Sequence, residues 1–232
     1  VENAQEIIFS KFKNIETIKN KLIYSSGFIL EKEIKALFDL PNKNNSAMDG
    51  FAVRHEDLEP NKSLKVVGRV GAEAITDYVL KKDEALRIMT GSGIPEGADS
   101  VVQFEKTNNN PHKGNDFPDS VIINETVKKG DNIRLSGQDY KFGETVVKGG
   151  MLIDPPIVGA IASFGINEVS VIRKPLVSII STGNELVMPG DKLKEGQIYD
   201  SNSFAISTAI KNSGADFKMH RILSDNKEDV DK

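Results

Sequence analysis

Cysteine is absent from the 232-residue sequence. Its absence excludes disulfides, thiolate metal sites and cysteine nucleophiles, and a reducing, cytoplasmic setting is the simplest interpretation. Histidine is scarce. Because His55, His112 and His220 lie far apart and form no HExxH-type pair, the sequence argues against a histidine metal site.

Basic residues are not in excess either. The formal net charge is −4 at pH 7, so no overall positive field attracts nucleic acid or anionic lipid. Apolar runs long enough to cross a bilayer are missing from the sequence. Residues 1–5 also lack the basic and then apolar pattern of a signal peptide. We therefore expect neither a nucleic-acid partner nor a membrane partner.

The first two thirds of the chain carry two kinds of apolar pattern. Residues 4–19 place Ile and Phe at near-helical spacing, which predicts an amphipathic helix, whereas periodicity does not decide the structure of residues 26–38. Short apolar runs separated by turn residues then predict an all-β module over residues 48–147. These runs are residues 51–53, 64–67, 85–88, 100–102, 120–123 and 144–147. Residues 107–119 are polar and predict a surface loop without function.

The last third of the sequence alternates helix and strand signals. Asp154 is predicted to cap a helix that ends at Gly165. Residues 176–180 form a largely apolar strand, typical of a buried parallel sheet. The other predicted elements are a strand over residues 168–172, a helix over 202–211 and a strand over 216–223. The strands over residues 176–180 and 216–223 and the helix between them make one βαβ unit, which cannot form a sheet covered on both faces, so we expect the chain to be a fragment of a longer protein.

Three loops stand out because each places a carboxylate beside small residues, where backbone can approach a charged ligand closely. They are residues 45–54, 90–99 and 181–186. Three such loops on one chain predict a site for a phosphorylated ligand that is held partly through a metal.

The first two loops also have plainer interpretations. Asp49-Gly50 is a strong signal for a type I′ hairpin turn, and residues 90–93 could form a flexible turn. Neither a dinucleotide fingerprint nor a Walker A sequence is present. Asp139 could be an ordinary turn acid, and no Ser/His/Asp arrangement can be assembled.

The third loop is the stronger candidate. Residues 181–183 follow the carboxyl end of an apolar strand, where open α/β sheets bind ligands. Glu185 could bind Mg²⁺ there, or cap a helix or loop. Asp225 follows the next strand and lies near the same sheet edge, although with Ser224 it could instead cap a helix. Asp200 is predicted to cap the helix that follows it.

Taken together, these segments resemble the MoeA family, the molybdopterin molybdenumtransferases, which includes the gephyrin E domain. The matching residues are 45–53, 90–99, 132–134, 137–139, 155–165, 181–186 and 196–202. Their order and spacing agree from near the amino end to Lys232. The Ser-Ala-Met-Asp-Gly match at residues 46–50 is highly specific.

The resemblance implies an elongated multidomain protein of the α/β and β classes that forms a homodimer. An amino-terminal helix over residues 1–16 would pack with the α/β domain. The implied domains are a small linking domain of residues 17–35 and 144–173, an inserted β-rich domain of residues 36–143, and a truncated MogA-like α/β domain of residues 174–232.

The resemblance also implies an activity. Family members take adenylylated molybdopterin and molybdate, cleave the phosphoanhydride, release AMP and leave molybdenum on the dithiolene. Because both substrates are anionic, Mg²⁺ is needed to offset repulsion by an acidic site. The implied catalytic residues are Asp49, Thr90, Asp139, Glu185 and Asp225, and the implied metal ligands are Glu185 and Asp225. The implied substrate-binding residues are Ser46, Arg134, Ser181, Thr182 and Gly183.

The chain departs from the usual family pattern at several positions. The departures are Asn184 for Asp, Phe51 for Tyr, Gly93 for Pro, Gln138 for Glu, and residues 41–44, which replace Pro-Pro-Phe-Asp. None removes an implied catalytic acid. They bear on the fine geometry of metal binding.

Partners and rival functions follow from the same resemblance. The implied active site forms between two subunits of the homodimer, with a MogA-type adenylyltransferase as a further partner. A non-catalytic dimeric scaffold that binds a partner peptide is the alternative, but a scaffold does not need both Glu185 and Asp225. An adenylyltransferase of the MogA type explains only the α/β part. We expect the 232 residues alone to be inactive.

Overall fold

A computed structural model describes residues 2–11, 16–71, 77–109 and 118–224 of the protein. The α-helices in these ranges are α1 (Glu2–Lys11), α2 (Pro155–Ala162) and α3 (Ser201–Asn212). The strands are β1 (Thr17–Lys21), β2 (Ile29–Leu30), β3 (Ile34–Lys35), β4 (Asn45–Ser46), β5 (Gly50–Val53), β6 (Ser63–Val70), β7 (Glu84–Ile88), β8 (Ser100–Gln103), β9 (Ser120–Ile122), β10 (Ile133–Arg134), β11 (Thr145–Val147), β12 (Glu168–Ile172), β13 (Leu176–Ile179), β14 (Leu186–Val187), β15 (Ile198–Tyr199) and β16 (Asp216–Met219). None of the helices in the described ranges has the length and apolar character needed to cross a membrane.

The chain divides into two compact units, residues 35–146 and residues 1–34 with 147–232. The first unit is built on a five-stranded sheet with the strand order β8-β5-β7-β6-β9. Its strands are antiparallel except for β6 and β7, which run parallel with a bulge between Val66 and Gly68. Each of the six apolar runs predicted in this region forms a strand, so the prediction of a β-rich module is confirmed.

Each face of the five-stranded sheet carries a buried apolar cluster. Successive residues of a strand point to opposite faces, and Phe51 and Ala52 are both fully buried. One cluster contains Phe51, Val53, Leu64, Val66, Ala85, Val102, Phe104, Val121, Ile123 and Val127. The other contains Ala52, Val70, Leu80, Leu86, Ile88 and Val101. Since Phe51 packs edge-to-face on Phe104 with ring centroids 5.4 Å apart, it serves the core and needs no hydroxyl.

The hairpin interpretation of Asp49-Gly50 is wrong. Strand β4 pairs with β10, whereas β5 pairs with β7 and β8, so these two residues connect different sheets. Gly50 is required for another reason. A Cβ atom at this position would lie 2.1 Å from the carbonyl oxygen of Val102, so only glycine lets β5 approach β8.

The second unit contains a three-stranded antiparallel sheet in the order β1-β12-β2. The helix predicted over residues 4–19 is wrong at its end, because α1 stops at Lys11 and Thr17–Lys21 is a strand. Residues 12–15 lie outside the described ranges. Thr17–Lys21 is a strand because its backbone pairs with β12, about 150 residues later, and local spacing carries no information about that partner. The side chains of Ile7, Ile8 and Phe9 on α1 are exposed.

Helix α2 begins where its capping signal predicts. The Ile157 N–H donates to Asp154 Oδ1 at 2.9 Å, and prolines occupy the first turn. The helix ends slightly earlier than predicted, at Ala162 with Ser163 as its C-cap. Gly165, predicted to be the C′ glycine, lies one position beyond C′, with φ +74° and an N–H that donates to the Ala162 carbonyl at 2.9 Å.

The βαβ unit is confirmed, with β13 and β16 parallel and α3 between them in the chain. Strand β16 ends at Met219, earlier than predicted, and Leu223 rejoins the sheet by a single parallel bridge to Thr182. The predicted burial of β13 is wrong in this chain, because Leu176 and Val177 are exposed and only Ile179 is buried. Two strands and one helix leave much of their apolar surface uncovered.

Candidate functional site

Asp49 and Thr90, 41 residues apart in sequence, form a hydrogen-bonded pair in the β-rich unit. The backbone N–H and the hydroxyl of Thr90 both donate to Asp49 Oδ1, each at 2.7 Å. Asp49 directly precedes β5 and Thr90 follows β7, and these strands are neighbours in the sheet. The Asp49 carboxylate is therefore oriented through one oxygen, while its other oxygen has no donor in the described ranges.

Backbone hydrogen bonds hold three loops together around this pair. The Gly91 N–H donates to the Ser46 carbonyl and the Ser46 N–H to the Ser92 carbonyl, both at 2.9 Å. The Ala47 N–H donates to the Asn132 carbonyl at 2.9 Å. Ser46 is buried, and its hydroxyl bonds to the Met48 carbonyl, so its side chain shapes the loop before Asp49. This placement gives Ser46 a positioning role in the loop.

Arg134 and Asp139 lie in the same unit and pair with each other. Their side chains form an ion pair and are partly exposed. Gln138 closes the intervening turn by accepting a hydrogen bond from the Leu135 N–H at 3.0 Å. A guanidinium has five N–H donors in a fixed fork, so Arg134 retains donors for an oxyanion while Asp139 holds its orientation. Arg134 is also directly opposite Asn45 in the β4–β10 ladder.

Asn45 is a candidate site residue to which sequence reasoning assigned no individual role. Its side-chain oxygen is buried, and it has no hydrogen-bond partner in the part of the chain that the structure describes. Such an orphan acceptor is costly unless a ligand or water supplies a donor. Asn45 also forms an isolated bridge with Gly93. Its signal was its place directly before the most specific motif, next to Ser46.

Lys43 is a second residue that sequence reasoning did not single out. Its ammonium nitrogen lies 3.3 Å from where a Cβ of Gly93 would stand. A larger residue at position 93 would have to displace this side chain. The family departures at residues 41–44 and at Gly93 are therefore neighbours in space, and together they place a basic group beside the loop that carries Thr90.

The third loop lies in the other unit, at the carboxyl end of β13. The Leu223 N–H donates to the Ser181 carbonyl at 2.8 Å, and the Gly183 N–H donates to the Leu223 carbonyl at 3.1 Å. Glu185 is exposed, and its carboxylate folds over Gly183: a Cβ at Gly183 would lie 2.8 Å from Glu185 Oε1. Glycine at 183 therefore lets the acid approach the loop backbone.

Asp200 caps α3 as predicted and also makes a bond that was not predicted. Its Oδ1 accepts from the Ser203 N–H at 3.1 Å, and its Oδ2 accepts from the Ser181 hydroxyl at 2.7 Å. Burial disfavours the charged form of Asp200, but the hydrogen bonds from Ser181 and Ser203 outweigh burial and lower its pKa. The Ser181 hydroxyl is thereby tied to the start of α3.

A cavity of about 310 Å³ opens beside this loop. Its lining includes Ser181, Thr182, Tyr199 and the first residues of α3. Its position at the carboxyl end of a parallel strand is the usual ligand site of an open α/β sheet.

The predicted metal pair is only half described. Glu185 is placed as above, and Asp225 lies outside the described residues. Within the described ranges, no group of three or more His, Asp or Glu side chains could hold a metal ion. Mg²⁺ commonly takes only one or two protein carboxylates together with water and substrate phosphates. An exposed Glu185 close to Gly183 fits that mode of binding.

The chain is similar to known family models along most of its length. Residues 1–165 match the model of the MoeA N-terminal region, domains I and II. Residues 178–232 match the model of a probable molybdopterin binding domain.

Individual relatives agree with these matches. The chain is 35% identical to a molybdopterin molybdenumtransferase of Staphylococcus epidermidis, covering 98% of this chain and 54% of the relative. It is 34% identical to the enzyme of the same name from Staphylococcus aureus, covering 97% and 53%. The chain thus spans about half the length of the curated relatives it matches.

Solved structures agree as well. The structure of the molybdopterin biosynthesis moeA protein from Pyrococcus horikoshii superposes with a TM-score of 0.85 at 28% identity, covering 98% of this chain and 60% of that one. A second structure of the moeA protein from this archaeon gives a TM-score of 0.79 at 34% identity, with 99% and 58% covered. The likeness therefore extends from sequence to fold.

Proposed function

Since the chain belongs to the MoeA family, we propose that the protein inserts molybdenum into molybdopterin during molybdenum cofactor biosynthesis. The substrates are molybdate and adenylylated molybdopterin. The phosphoanhydride of the adenylylated pterin is cleaved, AMP leaves, and molybdenum remains on the dithiolene.

The pairing of Asp49 with Thr90 is the observation that carries the proposal. Two hydrogen bonds from Thr90 orient one carboxylate oxygen of Asp49, and the exposed side chain leaves the other available to a substrate. An oriented carboxylate can accept a proton or hold a water molecule at a stated position. The contact joins two loops that are distant in sequence, and an ordinary surface turn would not need such a contact.

Oxyanion binding falls to Arg134 in this proposal. Asp139 holds the guanidinium in place through the ion pair, and the remaining N–H groups can bind a phosphate or molybdate oxygen, in a bidentate manner where two oxygens are available. The orphan oxygen of Asn45, on the strand paired with Arg134, would accept a hydrogen bond from the pterin or from an ordered water.

Glu185 and Asp225 would hold Mg²⁺ at the other ligand loop. When bound, this cation neutralises charge on the phosphoanhydride oxygens. Glu185 lies against the backbone of Gly183, next to Ser181 and Thr182, whose loop would bind the phosphate end of the pterin. We further propose that the protein acts as a homodimer in which one copy supplies Asp49 and Thr90 while the other supplies Glu185.

The experiment is an AMP-release assay on the full-length protein with adenylylated molybdopterin, molybdate and Mg²⁺. Asp49→Asn keeps the shape of the side chain and removes its charge, and Thr90→Val removes the hydroxyl that orients it. Each variant is expected to lose about tenfold to a hundredfold in rate, the usual effect of losing a charge-assisted hydrogen bond in a site. Glu185→Ala is expected to lose activity and to weaken the response to Mg²⁺.

The matched control is Asp119→Asn, which makes the same chemical change at an exposed position of the same unit. It should retain the wild-type rate. Wild-type AMP release from both Asp49→Asn and Glu185→Ala would reject the proposed roles.

A further inference from the structure

Arg87 interrupts an apolar face of the central sheet. Ala85 and Met89, two residues away on either side along the chain, both pack against the apolar cluster that contains Phe51. Arg87 is directly opposite Phe51 in the β5–β7 ladder. Its guanidinium carbon lies 5.2 Å from the centroid of the Phe104 ring, and this cation–π contact holds the group over the sheet. The apolar neighbours at positions 85 and 89 predict an apolar side chain at position 87 of β7, but this position holds an oriented arginine.

A second arginine stands directly beside it. Arg69 on β6 is the register partner of Arg87 in the parallel β6–β7 pair, so both side chains extend from the same face of the sheet. Like charges directly opposite each other destabilise a sheet. Within residues 2–11, 16–71, 77–109 and 118–224, neither guanidinium has a carboxylate or other hydrogen-bond partner. The repulsion between them is thus not offset by an acid in those ranges.

The two arginines line a cavity of about 480 Å³ together with Val70, Gly71 and Met89. A Cβ at Gly71 would meet no described residue within 4 Å. The volume is within the usual range for sites that bind small ligands. Two guanidinium forks on one wall, with no acid on the described lining, suit an anion with several oxygens.

We propose that Arg69 and Arg87 form a binding site for a tetrahedral oxyanion, of the phosphate-monoester or molybdate class. The bound anion supplies the negative charge that no described residue provides to the two arginines. Arg87, held by Phe104, provides the oriented fork, and the more exposed Arg69 closes on the anion from the neighbouring strand. The described lining of this cavity does not include Asp49 or Thr90, and binding to it does not require turnover.

Isothermal titration calorimetry at low ionic strength tests the proposal on the full-length protein, with inorganic phosphate, molybdate and AMP as three separate probes. We expect saturable binding of at least one probe. A preference for molybdate would identify a metal oxyanion as the natural occupant, whereas a preference for AMP or phosphate would identify a phosphate ester.

Substitutions then locate the binding. Arg69→Gln and Arg87→Gln are each expected to weaken binding of the preferred anion at least about tenfold. Arg173→Gln is the matched control, because it removes the same charge from an arginine that is paired with Glu16 in the other unit, and it should leave the affinity unchanged. If Arg87→Gln disturbs folding, the test relies on Arg69→Gln, because Arg69 is exposed. Arg87→Lys is then a milder change at position 87 that keeps the charge but loses the fork.

No saturable binding by the wild type would overturn the proposal. So would an affinity that neither glutamine substitution changes, or one that Arg173→Gln lowers equally. The two results that compare variants do not bear on AMP release, so a failure there is distinguishable from a failure of the proposed reaction.

Discussion

Two aspartates illustrate how local surroundings separate a structural acid from a candidate catalytic one. Asp200 is 4% exposed, and both of its carboxylate oxygens accept hydrogen bonds from Ser181 and Ser203. Asp49 is exposed, and Thr90 engages one of its oxygens. An acid that is held by one oxygen and accessible at the other is oriented and can still bind substrate. Because both oxygens of Asp200 accept structural hydrogen bonds, Asp200 would affect a ligand only indirectly, through Ser181.

Asp200 gives a prediction on stability and pH. Its pKa is lowered in the folded protein, so its stabilising effect is fully present above its unfolded pKa of about 3.9 and is lost as pH falls through the lower folded value. Asp200→Asn keeps a good N-cap and removes the charge. We expect it to be less stable than the wild type near neutral pH, with the difference shrinking below about pH 4.

Urea unfolding from pH 7 down to pH 3 measures this difference. Asp200→Ala, which removes the cap as well, should cost about 0.5–2 kcal/mol of unfolding free energy. Asp191→Asn, an exposed acid of the same unit, is the control and should follow the wild type. If the difference in unfolding free energy between Asp200→Asn and the wild type stayed constant over this pH range, the charge of Asp200 would not be what stabilises the protein.

At the level of elements, strands of the β-rich unit and helix starts were predictable from sequence. Short apolar runs separated by turn residues locate β5 to β9, and the capping acids Asp154 and Asp200 mark the starts of α2 and α3. Both signals act within a few residues along the chain. Thr17–Lys21 was mistaken for helix because its partner is β12. Where a distant strand decides the conformation, local spacing does not reveal it.

Gly50 gives the prediction at this scale. An alanine there would place its Cβ 2.1 Å from the Val102 carbonyl oxygen and force β5 away from β8. We expect Gly50→Ala to destabilise the protein by about 1–3 kcal/mol, the usual cost of overpacking. Because Asp49 directly precedes Gly50, AMP release should fall as well. Thermal unfolding followed by circular dichroism measures the first effect.

Gly159→Ala is the matched control for Gly50→Ala. Gly159 lies inside α2, and a Cβ there would meet nothing within 4 Å. Alanine should therefore stabilise the helix, by about 0.5–1 kcal/mol. Equal stability changes in the two variants would mean that the close approach of β5 to β8 is not what requires glycine at position 50.

On the scale of the whole molecule, the implicated side chains belong to two separate units. Asp49, Thr90, Arg134 and Asp139 lie in residues 35–146, and Ser181 and Glu185 lie in the other unit. The proposed homodimer makes a prediction that does not depend on any rate constant. If one copy supplies Asp49 and its partner supplies Glu185, two inactive variants can restore each other.

The test mixes Asp49→Ala and Glu185→Ala proteins under conditions that allow full-length subunits to exchange. Half of the dimers are then mixed and carry one intact site each, so AMP release should recover to about a quarter of the wild-type rate. Asp49→Ala mixed with itself is the control and should stay inactive. No recovery after verified exchange would place Asp49 and Glu185 of each site in the same copy and reject the shared site.

Sequence alone determined the family, the β-rich character of residues 35–146, the βαβ unit and the loops that carry the acids. These features depend on residue types a few positions apart, where spacing, capping and turn chemistry act. Only the tertiary structure decided that Thr90 holds Asp49, that Ser181 is bonded to Asp200, and that Arg69 and Arg87 are neighbours. Each of these contacts joins segments that are distant in the chain, and strand order and register, which local patterns do not encode, bring them together.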